Sequence, residues 1–255
     1  MKKLKKIVAK IICNFFVVLY KIKVSFCRKG NLTLLLYTDS RGTAVESFYK
    51  QRNPFFSYLN FFRDYNVTYK FCPHKFTSIL DFLNFYEHSV ENYDHVVLHC
   101  GIVDFAPRPL SSYQSMLDGK REYLKSKGWL HYFENRTDYL CDYEGEKTLQ
   151  FMSLEFLENE ILPKLSAINN LIYIGINPVL SDWDGNYWRA RPSCINEQLN
   201  QDKFLIRHLS KSVNLRGWSD VEIKSFTVDN VHYNQKGLEY IGVSVSRVLD
   251  SDLER

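Results

Sequence analysis

The chain has 255 residues, 45% of them hydrophobic and 15% aromatic, with a formal net charge of +4. That composition excludes a disordered chain and fits one substantial domain with elaborations. Lys2, Lys3, Lys5, Lys6 and Lys10 alone exceed the net charge, so no basic face is left for nucleic acid.

The N-terminal segment, 1–28, reads apart from the domain at 29–255. "MKKLKKIVAKIICNFFVVLYKIK" has a basic start and an apolar middle, but no small-residue cleavage site follows. The apolar middle, Ile11 to Tyr20, is too short to cross a bilayer. On a helical wheel Leu4, Ile7, Val8, Ile11, Ile12, Phe15, Phe16 and Leu19 share one face, and Lys3, Lys6, Lys10, Asn14 and Lys21 the other. Two readings stay open: a helix lying on an anionic membrane surface through residues 1–24, or an ordinary helix packed on the domain.

From Leu32 onward, apolar runs end repeatedly in polar breaks. "LTLLLY" (32–37), "VTYKFC" (67–72), "HVVLHC" (95–100), "LIYIGI" (171–176) and the weaker "SVNLRG" (212–217) read as five strands. Helical candidates lie between them at Gly42–Tyr65, Phe76–Glu91, Thr148–Ser166 and Ile195–Ser210, and the apolar-periodic Leu238, Ile241 and Val243 mark a last helix. This alternation predicts a parallel sheet wrapped on both faces. Two insertions, 106–147 and 177–193, follow strand ends and should overhang the rim where open α/β sheets bind ligands.

Three short blocks face that rim. In "YTDSRG", Ser40 is either a helix cap or a nucleophile, and Asp39 ties the loop through backbone amides. In "HCGIVD", Gly101 lets the backbone approach a substrate oxygen, and Asp104 reads as structural. In "DNVHYNQKGLEYIG", Asp229 stands three residues before His232, a spacing that lets the carboxylate orient the imidazole. A serine hydroxyl needs such a base, itself held by a third group, to become a nucleophile.

In this order the three blocks resemble those of the SGNH (GDSL-type) hydrolase superfamily, over the whole domain but through short motifs only. The resemblance implies a three-layer α/β/α sandwich with a flavodoxin-like parallel five-stranded sheet. It also implies Ser40 as nucleophile, His232 as general base and acid, Asp229 as its orienting partner, and the Ser40 and Gly101 amides as the oxyanion hole. Two positions depart from the pattern: Thr38 stands for the first glycine of Gly-Asp-Ser, and Val103 for the oxyanion asparagine. Losing one donor costs on the order of 3 kcal/mol of transition-state stabilisation, which makes a slow enzyme rather than a dead one.

Arg41 and Arg108, beside these motifs, are candidates for the missing positive charge or for a substrate anion; a surface ion pair is the plainer role for Arg108. The insertions add Trp129, Trp183, Tyr187, Trp188, Arg189 and Arg191, and "DWDGNYWRAR" is polar enough to predict an exposed sugar platform using Trp183 and Trp188. The expected substrate is an acylated carbohydrate or lipid-linked glycan, as in surface polysaccharide synthesis. Three activities follow: an esterase, a carbohydrate O-acyltransferase with the same triad, or a weakened glycan-binding scaffold. The six cysteines show no metal-type spacing and read as free thiols of a reducing compartment, with Cys100 in the core. That places the protein in the cytoplasm or on the inner face of its membrane. The histidines are scattered, with His99 read as buried and hydrogen-bonded, and no glycine-rich phosphate loop is visible, so neither a metal nor a nucleotide cofactor is expected.

Overall fold

The computed structural model describes residues 11–12, 14–20, 22, 30–183, 185 and 190–253. Its centre is a five-stranded sheet ordered β2-β1-β3-β7-β8, in which every pairing is parallel. The strands are β1 (Thr33–Thr38), β2 (Asn66–Phe71), β3 (His95–His99), β7 (Leu171–Ile174) and β8 (Ser212–Val213). A smaller antiparallel sheet holds β4 (Arg108–Pro109), β5 (Asp142–Tyr143) and β6 (Glu146–Leu149) in the order β4-β6-β5.

The unbroken apolar runs are explained by burial on both faces of the sheet. Leu35, Tyr37, Val96, Leu98 and Tyr173 point into one core half. There they meet Ile79–Glu87, Leu110–Ser126, the helical stretch from Leu154 to Ser166, and Gln198–His208. Leu34, Leu36, Val97, Ile172 and Ile174 point into the other. They pack against Leu238, Ile241, Val245 and Leu249 of the final helix Gln235–Leu253 and against Tyr58, Leu59 and Phe62. Each fully buried aliphatic side chain contributes roughly 1.5–3 kcal/mol, so the two half-cores fix the strand register. The architecture is a three-layer α/β/α sandwich, as the resemblance implied.

Three elements differ from expectation. Residues 42–65 form short 3₁₀ turns, Ser40–Gly42, Pro54–Phe56 and Tyr58–Phe62, instead of an α-helix. Asn53 and Ser57 accept hydrogen bonds from the backbone of Phe55 and Leu59, so each turn is capped locally and no helical ladder propagates. The insertion at 106–147 is ordered around the 17-residue helix Leu110–Ser126, whose Tyr113, Met116, Leu117, Lys120 and Leu124 are buried at helical spacing. It continues into the β5–β6 hairpin, so Thr148 and Leu149 belong to a strand rather than to the following helix. The helix Asp220–Phe226, opened by a Ser219–Glu222 capping box, is an addition.

The cysteines also differ. Cys141 and Cys194 are joined by a disulfide across 53 positions, tying the first insertion to the chain just after the second. Cys72 and Cys100 are free, and Cys100 is buried in the core as expected. Cysteines 13 and 27 lie outside the described residues. Disulfides persist in oxidising surroundings, so the bonded pair is at odds with the reducing compartment read from spacing alone; pairing depends on approach in space, which spacing does not reveal.

Candidate active site

Ser40 opens a 3₁₀ turn directly after β1, and the capping is done by its neighbour. The Asp39 carboxylate accepts from the Arg41 amide at 2.9 Å, and the Asp39 amide donates to the His99 carbonyl at 2.9 Å, locking the ends of β1 and β3 together. The Ser40 side chain is therefore left for another partner. Its Oγ lies 2.9 Å from His232 Nε2.

His232 sits on a tight turn between Asp220–Phe226 and the final helix. The turn is closed by the Thr227–Tyr233 bridge and by Val228 N–H donating to the His232 carbonyl at 2.8 Å. Asp229 faces inward, wholly shielded. Its Oδ1 accepts from the Val231 and His232 amides at 3.1 and 2.7 Å, and its Oδ2 lies 2.8 Å from His232 Nδ1. With Nδ1 donating to the carboxylate, Nε2 carries a lone pair that can accept a hydrogen bond from the Ser40 hydroxyl. Burial pushes the Asp229 carboxyl up, but the bonds and charge of His232 and the charge of Arg191 outweigh it and hold the group below its ordinary value. A carboxylate that stays ionised is what the orienting role requires.

Arg191 is a partner that the sequence did not assign to this role. Its Nη2 donates to Asp229 Oδ2 at 3.2 Å, so the end of the second insertion touches the acid of the triad. Asn230, at φ 68°, binds the same insertion from the other side. Its Oδ1 accepts from the Leu180 amide at 2.9 Å, and its Nδ2 donates to the carbonyls of Leu180 and Trp183. An Asn in "DNVH" that must adopt a left-handed conformation was the signal available for this tether.

Gly101 follows β3 at φ +132°, and a Cβ there would lie 2.8 Å from the Tyr173 hydroxyl, so both conformation and space demand glycine. The Ser40 and Gly101 amides belong to the ends of adjacent strands, where the oxyanion hole was expected. Val103, in the short helix Ile102–Phe105, brings no donor on its side chain, and its carbonyl accepts from Arg108 Nε at 3.1 Å. Arg108 is half-buried, its guanidinium 5.7 Å from the centre of the Phe76 ring.

Asp104 is structural, as read. Both its oxygens accept from the Ile79 amide, at 3.3 and 3.1 Å, joining this helix to Ile79–Glu87. Burial raises its carboxyl to about 8, against the lowering effects of that hydrogen bond and of Lys120. His99 is buried too, its Nδ1 2.8 Å from the Tyr58 hydroxyl.

Several expected contacts are overturned. Arg41 is fully buried and cannot meet a substrate. Its Nε and Nη2 grip Asp39 at 3.0 and 2.8 Å, and its Nη1 donates to the Gly175 carbonyl at 3.1 Å. Burial lowers the tendency of the guanidinium to stay charged, but the Asp39 charge outweighs it and keeps the proton on. Trp183 is half-buried against the second core half, and Trp129 is buried with its indole N–H on Glu160 at 2.7 Å. Trp129 is closed off by its core neighbours, and Trp183 keeps part of its surface exposed. Trp188, Tyr187 and Arg189 lie outside the described residues. A cavity of about 720 Å³ lies between Leu110–Ser126 and residues 133–136, and none of Ser40, Asp229 and His232 lines it.

Ser40, His232 and Asp229 are thus joined in series on the rim of a parallel α/β sandwich. No protein-family model matches the sequence, and no curated protein does. Among solved structures the chain is similar to the lipase/acylhydrolase from Enterococcus faecalis, at 14% identity and a TM-score of 0.51, over 87% of this chain and 96% of that one. At that identity the likeness shows the shared fold.

Proposed function

We propose that this protein is a serine ester hydrolase working through Ser40, His232 and Asp229. The observation that carries the reading is the unbroken series Ser40 Oγ–His232 Nε2 and His232 Nδ1–Asp229 Oδ2, at 2.9 and 2.8 Å. Ser40 Oγ attacks the carbonyl carbon of an acyl ester and its proton passes to His232 Nε2. The tetrahedral oxyanion is received by the Ser40 and Gly101 amides, with the Arg108 guanidinium on the Val103 carbonyl as the nearby positive charge. His232 then gives its proton to the leaving alkoxide, which departs as the alcohol and leaves an acyl-serine. Water, deprotonated by His232, releases the carboxylic acid and restores Ser40; Asp229 remains a carboxylate throughout.

The substrate class proposed is a small acyl ester of a polar alcohol such as a carbohydrate. Transfer to a sugar hydroxyl would use the same residues. The Cys141–Cys194 bond favours an oxidising compartment over the cytoplasm.

A fluorophosphonate probe should label the wild-type protein at Ser40, and Ser40→Ala and His232→Ala should abolish labelling. Each should lower turnover of p-nitrophenyl acetate by roughly 10⁴-fold or more. A folded wild-type protein that neither labels nor turns over would overturn the proposal. Product analysis with added sugar acceptors separates hydrolysis from transfer.

A further inference from the structure

The helical residues of the N-terminal segment carry apolar side chains on two sides. One side meets the domain: Phe16 and Tyr20 stand edge-on to Phe55 at 6.0 and 5.3 Å, Tyr20 meets Tyr69 at 5.9 Å, and Tyr20 is buried. The other side is open. Ile11, Phe15, Val18 and Ile22 are 62%, 59%, 54% and 49% exposed, with Leu19 beside them at 37%. Positions 11, 15, 18 and 22 follow the helical repeat, so they form one ridge. A surface helix with one docked face ordinarily turns polar residues outward, and contiguous exposed apolar surface marks an interaction site.

The charge that neighbours the ridge in the sequence says what covers it. Lys2, Lys3, Lys5, Lys6, Lys10, Lys21, Lys23, Arg28 and Lys29 precede the first acidic residue, Asp39, while the rest of the chain is acidic on balance. Two copies meeting ridge to ridge would crowd these like charges together. An anionic surface would neutralise them. Spanning is ruled out by length, since the ten residues between Lys10 and Lys21 extend about 15 Å as a helix against a hydrocarbon core of about 30 Å. Among the described residues no helix is long and apolar enough to cross a membrane.

We propose that this ridge is a docking surface for an anionic lipid bilayer, seating the helix in the plane of the interface with its apolar side chains at the head-group boundary and the flanking lysines on lipid phosphates. Both readings of the segment then hold together: Phe16 and Tyr20 bind the domain while the opposite side binds lipid. The domain is thereby held against the membrane in one orientation, because the helix is packed rather than tethered. Phe55, its anchor, lies in the 43–57 loop that leaves the nucleophile turn.

The test is flotation of the full chain with phosphatidylcholine vesicles and with vesicles containing phosphatidylglycerol. The wild type should float with the anionic vesicles, not the neutral ones, and release as salt rises. The Phe15→Glu/Val18→Glu double variant changes only exposed side chains. It should keep its melting temperature and its turnover of a soluble ester, and lose anionic-vesicle binding by roughly tenfold or more. Absence of flotation by the wild type, or equal flotation of the two proteins, would overturn the proposal. So would a concentration-dependent dimer in light scattering that the double variant dissolves, which would make the ridge a contact between copies. Ester turnover is read separately, so loss of the catalytic reading and loss of this one are distinguishable.

Discussion

Val103 stands where the resemblance expects an asparagine, and its side chain can donate nothing. Its side chain is nearly buried and its carbonyl engages Arg108, so the backbone around it is held in place whatever side chain it carries. Removal of an oxyanion donor costs about 10²–10³ in kcat in a known protease. Val103→Asn should accordingly raise kcat on p-nitrophenyl acetate by roughly ten- to a hundred-fold, with KM little changed. An unchanged kcat would mean that another group, Arg108 first, already supplies the donor. Thr38 is the other departure, and its neighbours have adapted to it. Thr38 Oγ1 donates to the Asp39 carbonyl, and a Cβ on Gly42 would lie 2.1 Å from that same hydroxyl oxygen. The glycine missing at 38 thus has a counterpart at 42. Gly42→Ala should destabilise the protein by about 1–3 kcal/mol. Thr38→Gly should be far more tolerant of Gly42→Ala than the parent, a coupling measurable as a double-mutant cycle on denaturant midpoints. Additive losses would show the two positions to be independent.

At the scale of elements, the short helix Ile102–Phe105 is joined to Ile79–Glu87 through Asp104, and that joint titrates. The carboxyl releases its proton near its ordinary value when the chain is unfolded, but at about 8 when folded. Between those values the folded state holds the extra proton, so stability falls as pH rises and the contribution is complete only below the ordinary carboxylate range. Asp104→Asn retains an acceptor for the Ile79 amide without titrating. From about pH 5 to pH 8 the melting temperature of the wild type should therefore fall relative to that of the variant. A difference that stays constant with pH would refute the assignment. The elements also show what a sequence discloses. The strands were legible because both faces of β1, β3 and β7 are buried, leaving apolar runs with abrupt polar ends. The 42–65 region was misread because its aromatics pack from successive capped turns, which have no period to detect. The helix Leu110–Ser126 is hidden in the first insertion, whose polar and aromatic composition masks the helical repeat of its buried positions.

For the whole molecule, contacts distant in sequence decide the site. Ser40, Asp229 and His232 were legible because a strand-end serine and an Asp-x-x-His before a helix each carry a local pattern. Arg41 was not, since nothing in "DSRG" says that its guanidinium folds back onto Asp39. Nor was the Arg191–Asp229 contact or the Cys141–Cys194 pair, which join residues 38 and 53 positions apart that no local pattern links. The disulfide closes a loop of 53 positions, a span for which chain entropy gives about 4 kcal/mol. The double variant Cys141→Ser/Cys194→Ser should melt well below the oxidised wild type, and reductant should lower the melting temperature of the wild type but not of the variant. Equal melting temperatures in oxidising buffer would show that the bond adds no stability.

The hydroxyl of Ser40 and the imidazole of His232 are 192 positions apart in the chain. During synthesis Ser40 leaves the ribosome long before His232, the base proposed to activate it. On the proposed chemistry the growing polypeptide stays inert toward esters until His232 has emerged and the turn that carries it has docked. Translation itself would thus act as the timer for the proposed chemistry, and a message truncated upstream of Asp229 should yield a silent product.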